Sequence, residues 1–469
     1  MYEFRKLDGT LTIIGVWNGI IHTYNPTTDA WTAVVTAANF ATASITRATS
    51  GRWFAATFNN TVVFSDSTNL PFTWDGTSGA GGLVSLTNAA VAYGRPFVHA
   101  GKLGFIQNAD RSTFIWSEEL AANTGYEAGG YNNAWTLKQN GSNPLVGIQG
   151  SNAGLFYFRT QGIGIITGDV TPDFATTATD DAIAESVGLG GPDAFLLHEK
   201  RFWFLDEAGR PWSLELGGGL TPLWADLEAT QVAEANPGAP VVVYSFPRST
   251  ATAQVSWNPV YDLIMMRASA TSGFAPYWFG FSPYTGRLVT AWQFDSGEEF
   301  YSSVSTTFTS VPAWVVGLNG SFAAAVVAGQ WEDLDVSAVD YRSYSCQYRS
   351  GPQAWTTGLA LHFSRLDLVA QSVATSFVTA GSAYSLRVLT SDNPVTTQSA
   401  QTVNYLTPAA LNLQRYAQHE AIGLNVGGRW AAVDIQFTPE ELTGVAFAPH
   451  AIYGWALHHY PIGNEPEVR

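Results

Sequence analysis

Thr23-Tyr24-Asn25-Pro26-Thr27-Thr28-Asp29-Ala30-Trp31 and Phe281-Ser282-Pro283-Tyr284-Thr285-Gly286-Arg287-Leu288-Val289-Thr290-Ala291-Trp292 are two copies of one pattern. Each ends an aromatic strand, turns through a proline and opens a second strand that carries a tryptophan. Leu205-Asp206-Glu207-Ala208-Gly209-Arg210-Pro211-Trp212 is a looser third copy. A pattern that returns along a chain marks a repeated structural unit, and its period says which unit. Trp31 and Trp74 are 43 residues apart, and Trp74 and Trp116 are 42 apart, which matches the ~40–50 residues of a four-stranded propeller blade.

The residues between these tryptophans support that reading. Helical periodicity is almost absent, whereas short β-branched and aromatic runs bounded by Gly, Asn, Asp and Pro recur throughout. Runs 11–17 and 20–24, 53–58 and 61–65, 103–107 and 114–117, and 154–159 and 163–167 are joined by short links such as Asn18-Gly19, Asn59-Asn60 and Thr160-Gln161-Gly162. Links of this kind make antiparallel hairpins. The expected fold is all-β: a β-propeller of six or seven blades over residues 1–338, followed by a C-terminal β-sandwich-like domain over 339–469. Candidate blades fall at 10–35, 52–76, 94–137, 143–170, 193–224, 254–294 and 310–332, with the two ends able to close one blade jointly. A pair of unrelated β-sandwiches would give similar short strands but not the tryptophan interval.

Three stretches depart from the repeat and read as projecting loops: 118–143, 171–191 with a short helix at 180–186, and 225–239. Loops of such length are commonly functional. After Trp331 the strands lengthen, at 339–348, 359–370, 375–380, 384–390, 429–437 and 450–460, before a tail at 463–469.

Composition narrows the function. The 469 residues are 46% hydrophobic and include 45 Gly, 17 Trp, 19 Tyr and 27 Phe, ample material for a core and incompatible with global disorder. The balance of 22 basic against 38 acidic residues gives a net charge of −16, and only Lys6, Lys102, Lys138 and Lys200 are lysines. A surface that grips nucleic acid needs clustered cations, so this chain does not read as a DNA reader. The same acidity suits a channel past which DNA slides. Cys346 is the single cysteine, which leaves no internal disulfide and no Cys-based zinc site. The opening residues hold no apolar stretch long enough for a signal peptide. The run 311–328 is too short and too broken by Pro312, Gly317, Asn319 and Gly320 to span a membrane, and reads as two strands around an Asn-Gly turn.

No catalytic motif is present: no Gly-x-Ser-x-Gly elbow, no phosphate loop with its lysine, no His-Glu-x-x-His. Glu118-Glu119, Asp180-Asp181, Glu298-Glu299 and Glu440-Glu441 are adjacent acidic pairs, but adjacent strand residues point to opposite faces and do not converge on one glycosidic bond. His458-His459 alternate in the same way. Asp66, Asn69, Asp75 and Gly76 suit turns better than calcium. The expectation is a protein with no catalytic, cofactor or metal site. The weighed alternative is a secreted carbohydrate-binding or glycoside-cleaving β-propeller, for which the 17 tryptophans supply stacking candidates; Trp31, Trp74, Trp116 and Trp292 read instead as buried blade residues. An intracellular protein-interaction propeller is a third class.

The chain also carries, in order, Gly94-Arg-Pro-Phe-Val-His-Ala-Gly-Lys-Leu-Gly-Phe-Ile106-Gln107, Phe114-Ile-Trp-Ser117, Asn143-Pro-Leu-Val-Gly-Ile148, Gly154-Leu-Phe-Tyr-Phe158, Gly162-Ile-Gly-Ile-Ile-Thr-Gly168, Gly188-Leu-Gly-Gly191 and Phe202-Trp-Phe-Leu205. This series of aromatic hairpins, with the β region at 359–460 after it, resembles the tail nozzle or tail hub proteins of short-tailed bacteriophages, including the packaged-DNA stabilisation proteins. The resemblance covers most of the chain as texture and order. It implies a non-enzymatic virion tail protein, folded in the host cytoplasm, that forms a homo-oligomeric ring of sixfold symmetry. Such a ring docks on adaptor or portal-associated proteins, holds tail fibres or tailspikes, and lets double-stranded DNA pass without sequence-specific binding during genome retention and ejection. The chain differs from that family in entering its first strand at once, without an extended leader.

Overall fold

A computed structural model describes residues 1–25, 30–127, 133–137, 143–168, 178–223, 253–267, 277–293, 300–308, 311–318 and 323–327, and from 333 onward the strands named below. The chain forms two compact units, Met1–Trp224 with Phe246–Ala328, and Ala225–Ser245 with Gly329–Arg469. The boundary expected after residue 338 therefore falls after 328. The stretch 225–239, expected to project from the propeller, groups with the second unit, and its residues lie outside the described ones.

The first unit is a succession of antiparallel sheets in chain order. Blade I holds Tyr2–Arg5, Leu11–Trp17, Ile20–Asn25 and Ala30–Val35, and blade II holds Phe54–Phe58, Thr61–Ser65, Phe72–Trp74 and Leu83–Ser85. Blade III is Ala92–His99, Lys102–Gln107, Thr113–Glu118 and Ala121–Gly125, with Ala134–Thr136 also paired to its third strand. Blade IV is Leu145–Ser151, Gly154–Arg159, Gly162–Thr167 and Thr179–Ala184; blade V is Phe195–His198, Arg201–Leu205, Pro211–Glu215 and Leu220–Pro222. Blade VI is Gln254–Asn258, Leu263–Arg267, Tyr277–Phe281 and Leu288–Gln293, and a three-stranded sheet VII follows with Phe300–Phe308, Val311–Leu318 and Ala323–Val327. First strands pack side by side from I to II to III to IV and from V to VI to VII, and sheet VII closes on blade I. This is a β-propeller with six complete blades and a seventh sheet of three described strands.

Among the described residues no blade is shared between the two ends of the propeller. Each sheet is built from consecutive residues, and the ends meet by packing Ile13 of blade I against Val304 and Val315 of sheet VII. Neighbouring side chains on one strand feed opposite seams. Val62 and Phe64 enter the cluster with Phe4, Ile14 and Trp74 between blades I and II, while Val63 joins Leu103, Phe105 and Ile115 between II and III. Phe114 and Trp116 turn the other way, toward Leu145, Ile148 and Tyr157 of blade IV. Burial on both faces is why these strands read as continuous apolar runs. The seam between IV and V is aromatic, with Phe158 5.3 Å from both Phe195 and Phe202. That between VI and VII is the edge-to-face pair Trp278–Trp314 at 5.2 Å. Between blades I and II a six-residue helix, Ala37–Thr42, is capped by Asn39, whose Oδ1 accepts the Thr36 backbone N–H at 2.8 Å, and it buries Phe40 in their seam.

Two loop expectations are corrected. Part of 118–143 is strand, because Ala121–Gly125 and Ala134–Thr136 both pair with Thr113–Glu118. The helix expected at 180–186 is instead the outer strand of blade IV, since Asp180 and Asp181 pair with Ile166 and Ile165. The tryptophan interval is also only partly structural. Trp74 and Trp116 occupy third strands and are buried, as is Trp278, whereas Trp31 lies on a fourth strand and is half-buried. The side chain of Trp292 lies outside the described residues. The two best copies of the repeat are equivalent third-to-fourth-strand turns of blades I and VI, while the looser copy at 205–212 sits one strand earlier, between the second and third strands of blade V.

The second unit holds two antiparallel sheets. One orders Cys346–Arg349, Trp430–Thr438, Ala383–Ser391 and Ser399–Tyr405, with Gln353–Ala354 also on Trp430–Thr438; the other orders Gln418–Gly428, Leu361–Ser372 and His450–Pro461. Gln418–Gly428 packs beside Ala383–Ser391, and each sheet buries a side chain, Phe363 and Val433. The short pair Asp333–Leu334 and Tyr341–Arg342 completes the described strands. The arrangement is sandwich-like, as expected. The strands Ser399–Tyr405 and Gln418–Gly428 were not anticipated, and the one expected at 375–380 lies outside the described residues.

Candidate functional site

The segment Gly188-Leu-Gly-Gly-Pro-Asp193 leads into the first strand of blade V. Leu189 N–H donates to the Arg159 carbonyl at 2.7 Å and Gly190 N–H to the Leu205 carbonyl at 2.9 Å, which fixes its path. Gly188 lies so close to the Arg159 and Thr160 carbonyls that a Cβ would come within 2.2 Å of one of them. Pro192 then packs on Gly94, where φ is +67° and a Cβ would meet the proline ring at 2.9 Å. The outcome is the placement of Asp193. Its Oδ2 lies 2.5 Å from Arg52 Nε, its Oδ1 accepts a hydrogen bond from Arg95 Nη2 at 2.9 Å, and its carbonyl accepts one from Val255 N–H at 3.0 Å.

The two arginines come from blades II and III, neither of which adjoins blade V, the blade that Asp193 heads. Arg52 precedes the first strand of blade II, Arg95 lies within that of blade III, and Asp193 precedes that of blade V. Blade IV separates III from V, and VI, VII and I separate V from II on the other side. Contacts between non-adjacent blades cross the centre of a propeller, so the Arg52–Asp193–Arg95 clasp sits on its axis. Burial disfavours the Asp193 charge, but Arg52 and Arg95 outweigh burial and hold its carboxyl below the usual carboxylate value. Arg95 also lies over the Phe195 ring at 5.3 Å. Tyr2 brings blade I to the same region: its hydroxyl bonds Thr57 Oγ1 at 2.9 Å, and burial raises the phenol pKa.

Of the acidic pairs singled out in the sequence, the two among the described residues lie apart, in blades III and IV. Glu118 Oε1 accepts a bond from Asn133 Nδ2 at 2.8 Å in blade III, and Asp180 Oδ1 accepts the Tyr157 hydroxyl at 2.7 Å on the edge of blade IV. Burial first, then that carboxylate, raises the Tyr157 pKa. Glu298-Glu299 and Glu440-Glu441 lie outside the described residues. In the second unit His458 is exposed opposite Arg365, while His459 pairs with Phe363. Asp66 is a turn former: its two oxygens accept the N–H groups of Ala48, Thr68 and Asn69 and the Asn69 side-chain amide. Asp75 accepts Thr77 N–H at 2.7 Å. Among the described residues no group of three or more His, Cys, Asp or Glu is placed to hold a metal ion, and no helix is long and apolar enough to cross a membrane.

One face of the propeller carries a second feature. Turns from first to second and from third to fourth strands emerge at the same end of an up-and-down blade. Among the described residues, four large exposed apolar side chains lie on such turns: Leu7 (85% exposed), Leu120 (58%), Tyr261 (41%) and Tyr284 (72%). Neighbouring turns are tied together, because Leu7 N–H donates to Asn60 Oδ1 at 2.9 Å and Asn59 Nδ2 donates to the Leu120 carbonyl at 2.9 Å. Tyr284 is held by its hydroxyl on Asp262 Oδ2 at 2.6 Å. On the same face, a shallow groove of about 760 Å³ runs between the turns of blades IV and V, lined by Asn152, Ala153, Glu199, Lys200 and Leu216.

Fold and site thus define a β-propeller with an ionic clasp across its axis and apolar groups on one turn face. No family model and no curated protein matches the chain. Solved structures match as folds only. The computationally designed Ika8 protein is 11% identical with a TM-score of 0.40, covering 71% of this chain and 91% of its own. BamB from Moraxella catarrhalis is 10% identical, with a TM-score of 0.34 over 70% of this chain and 88% of that one. An exo-beta-1,3-galactanase from Phanerochaete chrysosporium is 9% identical, with a TM-score of 0.29 over 89% and 97%. Overlaps this loose carry no functional argument, and the fold rests on strand order and pairing.

Proposed function

We propose that this chain is a structural protein of a short-tailed bacteriophage tail, a nozzle or hub subunit that acts without catalysis in genome retention and ejection. The observation that carries the reading is the turn face, where Leu7, Leu120, Tyr261 and Tyr284 stand exposed on a propeller whose own axis is crossed by Arg52, Asp193 and Arg95. Exposed apolar groups on a rigid body suit docking to another protein. A propeller clasped at its centre acts as a building block, and the conduit for double-stranded DNA lies at the centre of a ring of copies. Identical subunits in a closed ring use heterologous contacts under cyclic symmetry. The net charge of −16 keeps such a conduit from holding DNA phosphates. The adaptor or portal-associated proteins and the tail fibres or tailspikes are the partners on this reading, and the virion tail is the location.

Electron microscopy of the purified protein, alone and with the adaptor encoded beside it, tests the proposal. Sixfold rings support it; monomers under both conditions contradict it. A carbohydrate-binding propeller is the second reading, favoured by the half-buried cluster Trp17, Tyr24 and Trp31 on blade I, in which Trp17 and Trp31 meet edge-on at 5.3 Å. Saturable glycan binding by the monomer, lost on replacing Trp17, would establish it instead.

A further inference from the structure

The axial clasp is unbalanced. Two guanidinium groups face one carboxylate, and each spends a single nitrogen on it, Arg52 through Nε and Arg95 through Nη2. An arginine presents five N–H donors in a fork that matches two oxygens at once. Among the described residues the remaining nitrogens of Arg52 and Arg95 have no hydrogen-bond partner. Both side chains are reachable, at 30% and 29% exposed, while Asp193 is more enclosed at 16%. The cations are held in place rather than free to swing away: Asp193 anchors both, and Arg95 is backed by the Phe195 ring. Asp193 is in turn fixed by the bond from Val255 N–H to its carbonyl. The positive excess lies in a chain whose net charge is −16, so it is not part of a general basic surface.

We propose that this axial clasp binds a small oxyanion, a phosphate or a carboxylate group, on the unused edges of Arg52 and Arg95, with Asp193 serving as the anchor that preorganises both. The site is independent of the tail reading, since it needs only a folded propeller. Two fixed forks offer more donors than one oxygen can use, which favours an anion with two or more oxygens over chloride. Asp193 also sets the affinity: it orients the arginines.

Isothermal titration of the full chain with inorganic phosphate, with acetate and with chloride, at matched ionic strength, tests the proposal. Saturable one-to-one binding of phosphate or acetate, absent for chloride, is expected; which of the two binds more tightly identifies the class of anion. Arg52→Gln and Arg95→Gln should each weaken binding by ~10-fold or more, the equivalent of one charged hydrogen bond. Asp193→Asn replaces one of the two oxygens that hold the arginines and should weaken binding as well, while phosphate should raise the melting temperature of the parent chain, a readout that stands even if a variant fails to fold. No saturable binding by the parent, or equal binding by the parent and both arginine variants, would overturn the proposal.

Discussion

Asp193 at the head of blade V and Arg95 on the first strand of blade III are joined by a 2.9 Å hydrogen bond, although blade IV lies between them around the ring. Arg52 of blade II completes the arrangement from the other side of the same carboxylate. A propeller otherwise holds together by seams between neighbours, and this contact ties together blades that share none.

Removing that anchor should loosen the ring as a whole. Asp193→Asn is expected to lower stability by about 1.5–3 kcal/mol near neutral pH, the range for hydrogen bonds to charged groups. The folded carboxyl titrates below its ordinary value of 3.8, so its contribution is complete above that pH and is lost as pH falls through the folded value. Chemical unfolding followed against pH should therefore show the parent and the Asn variant converging in acid. A constant gap between them throughout would contradict the assignment.

His22 gives a second dependence on pH. It stacks on Trp17 at 3.5 Å, and burial lowers its pKa below 6.5 against the opposing bond from its ring to the Ile20 carbonyl. Its neutral form is the one the fold favours, so stability is full above 6.5 and declines as pH falls toward the folded value. His22→Gln should flatten that decline in urea titrations on either side of 6.5, and an unchanged slope would exclude His22 as its source.

The tryptophans separate by strand. Trp74→Ala, Trp116→Ala and Trp278→Ala each remove a fully buried ring from a seam between blades and should cost about 3–5 kcal/mol. Trp31→Ala, on a half-buried outer strand, should cost clearly less. Thermal or denaturant unfolding of the four variants decides it; equal losses would mean that the interval in the sequence reflects one structural position after all.

Gly104 and Phe97 are direct cross-strand partners in blade III, and the phenyl ring occupies the place of the missing side chain, 2.1 Å from where a Cβ would stand. Gly104→Ala should displace that ring at about 1–3 kcal/mol. Gly217→Ala, at a turn with nothing within 4 Å, is the matched control and should be near neutral by the same unfolding measurement.

What could be read from the residues followed the range of the interactions. The inner hairpins of the blades were legible because turns such as Asn18-Gly19 and Asn59-Asn60 are local, with φ above 0° at each of these positions, whereas the strands Tyr2–Arg5, Leu83–Ser85 and Phe300–Phe308 lie outside the expected blades. The strand at Thr179–Ala184 was misread because Thr-Asp-Asp-Ala is a poor strand sequence that forms only through pairing with Gly162–Thr167. The axial clasp was missed for a related reason: Arg52, Arg95 and Asp193 are far apart in sequence, and nothing local marks their meeting. The one available signal is Gly188-Leu-Gly-Gly-Pro-Asp193, a glycine-rich lead into a strand that ends on an acid.

The central functional claim is tested most directly by a cryo-electron microscopy reconstruction of purified phage particles whose genome encodes this chain. The account predicts six copies arranged about the tail channel, next to the adaptor, with acidic surface toward the DNA path. Particles that lack the chain altogether, confirmed by mass spectrometry of the same preparation, would contradict it.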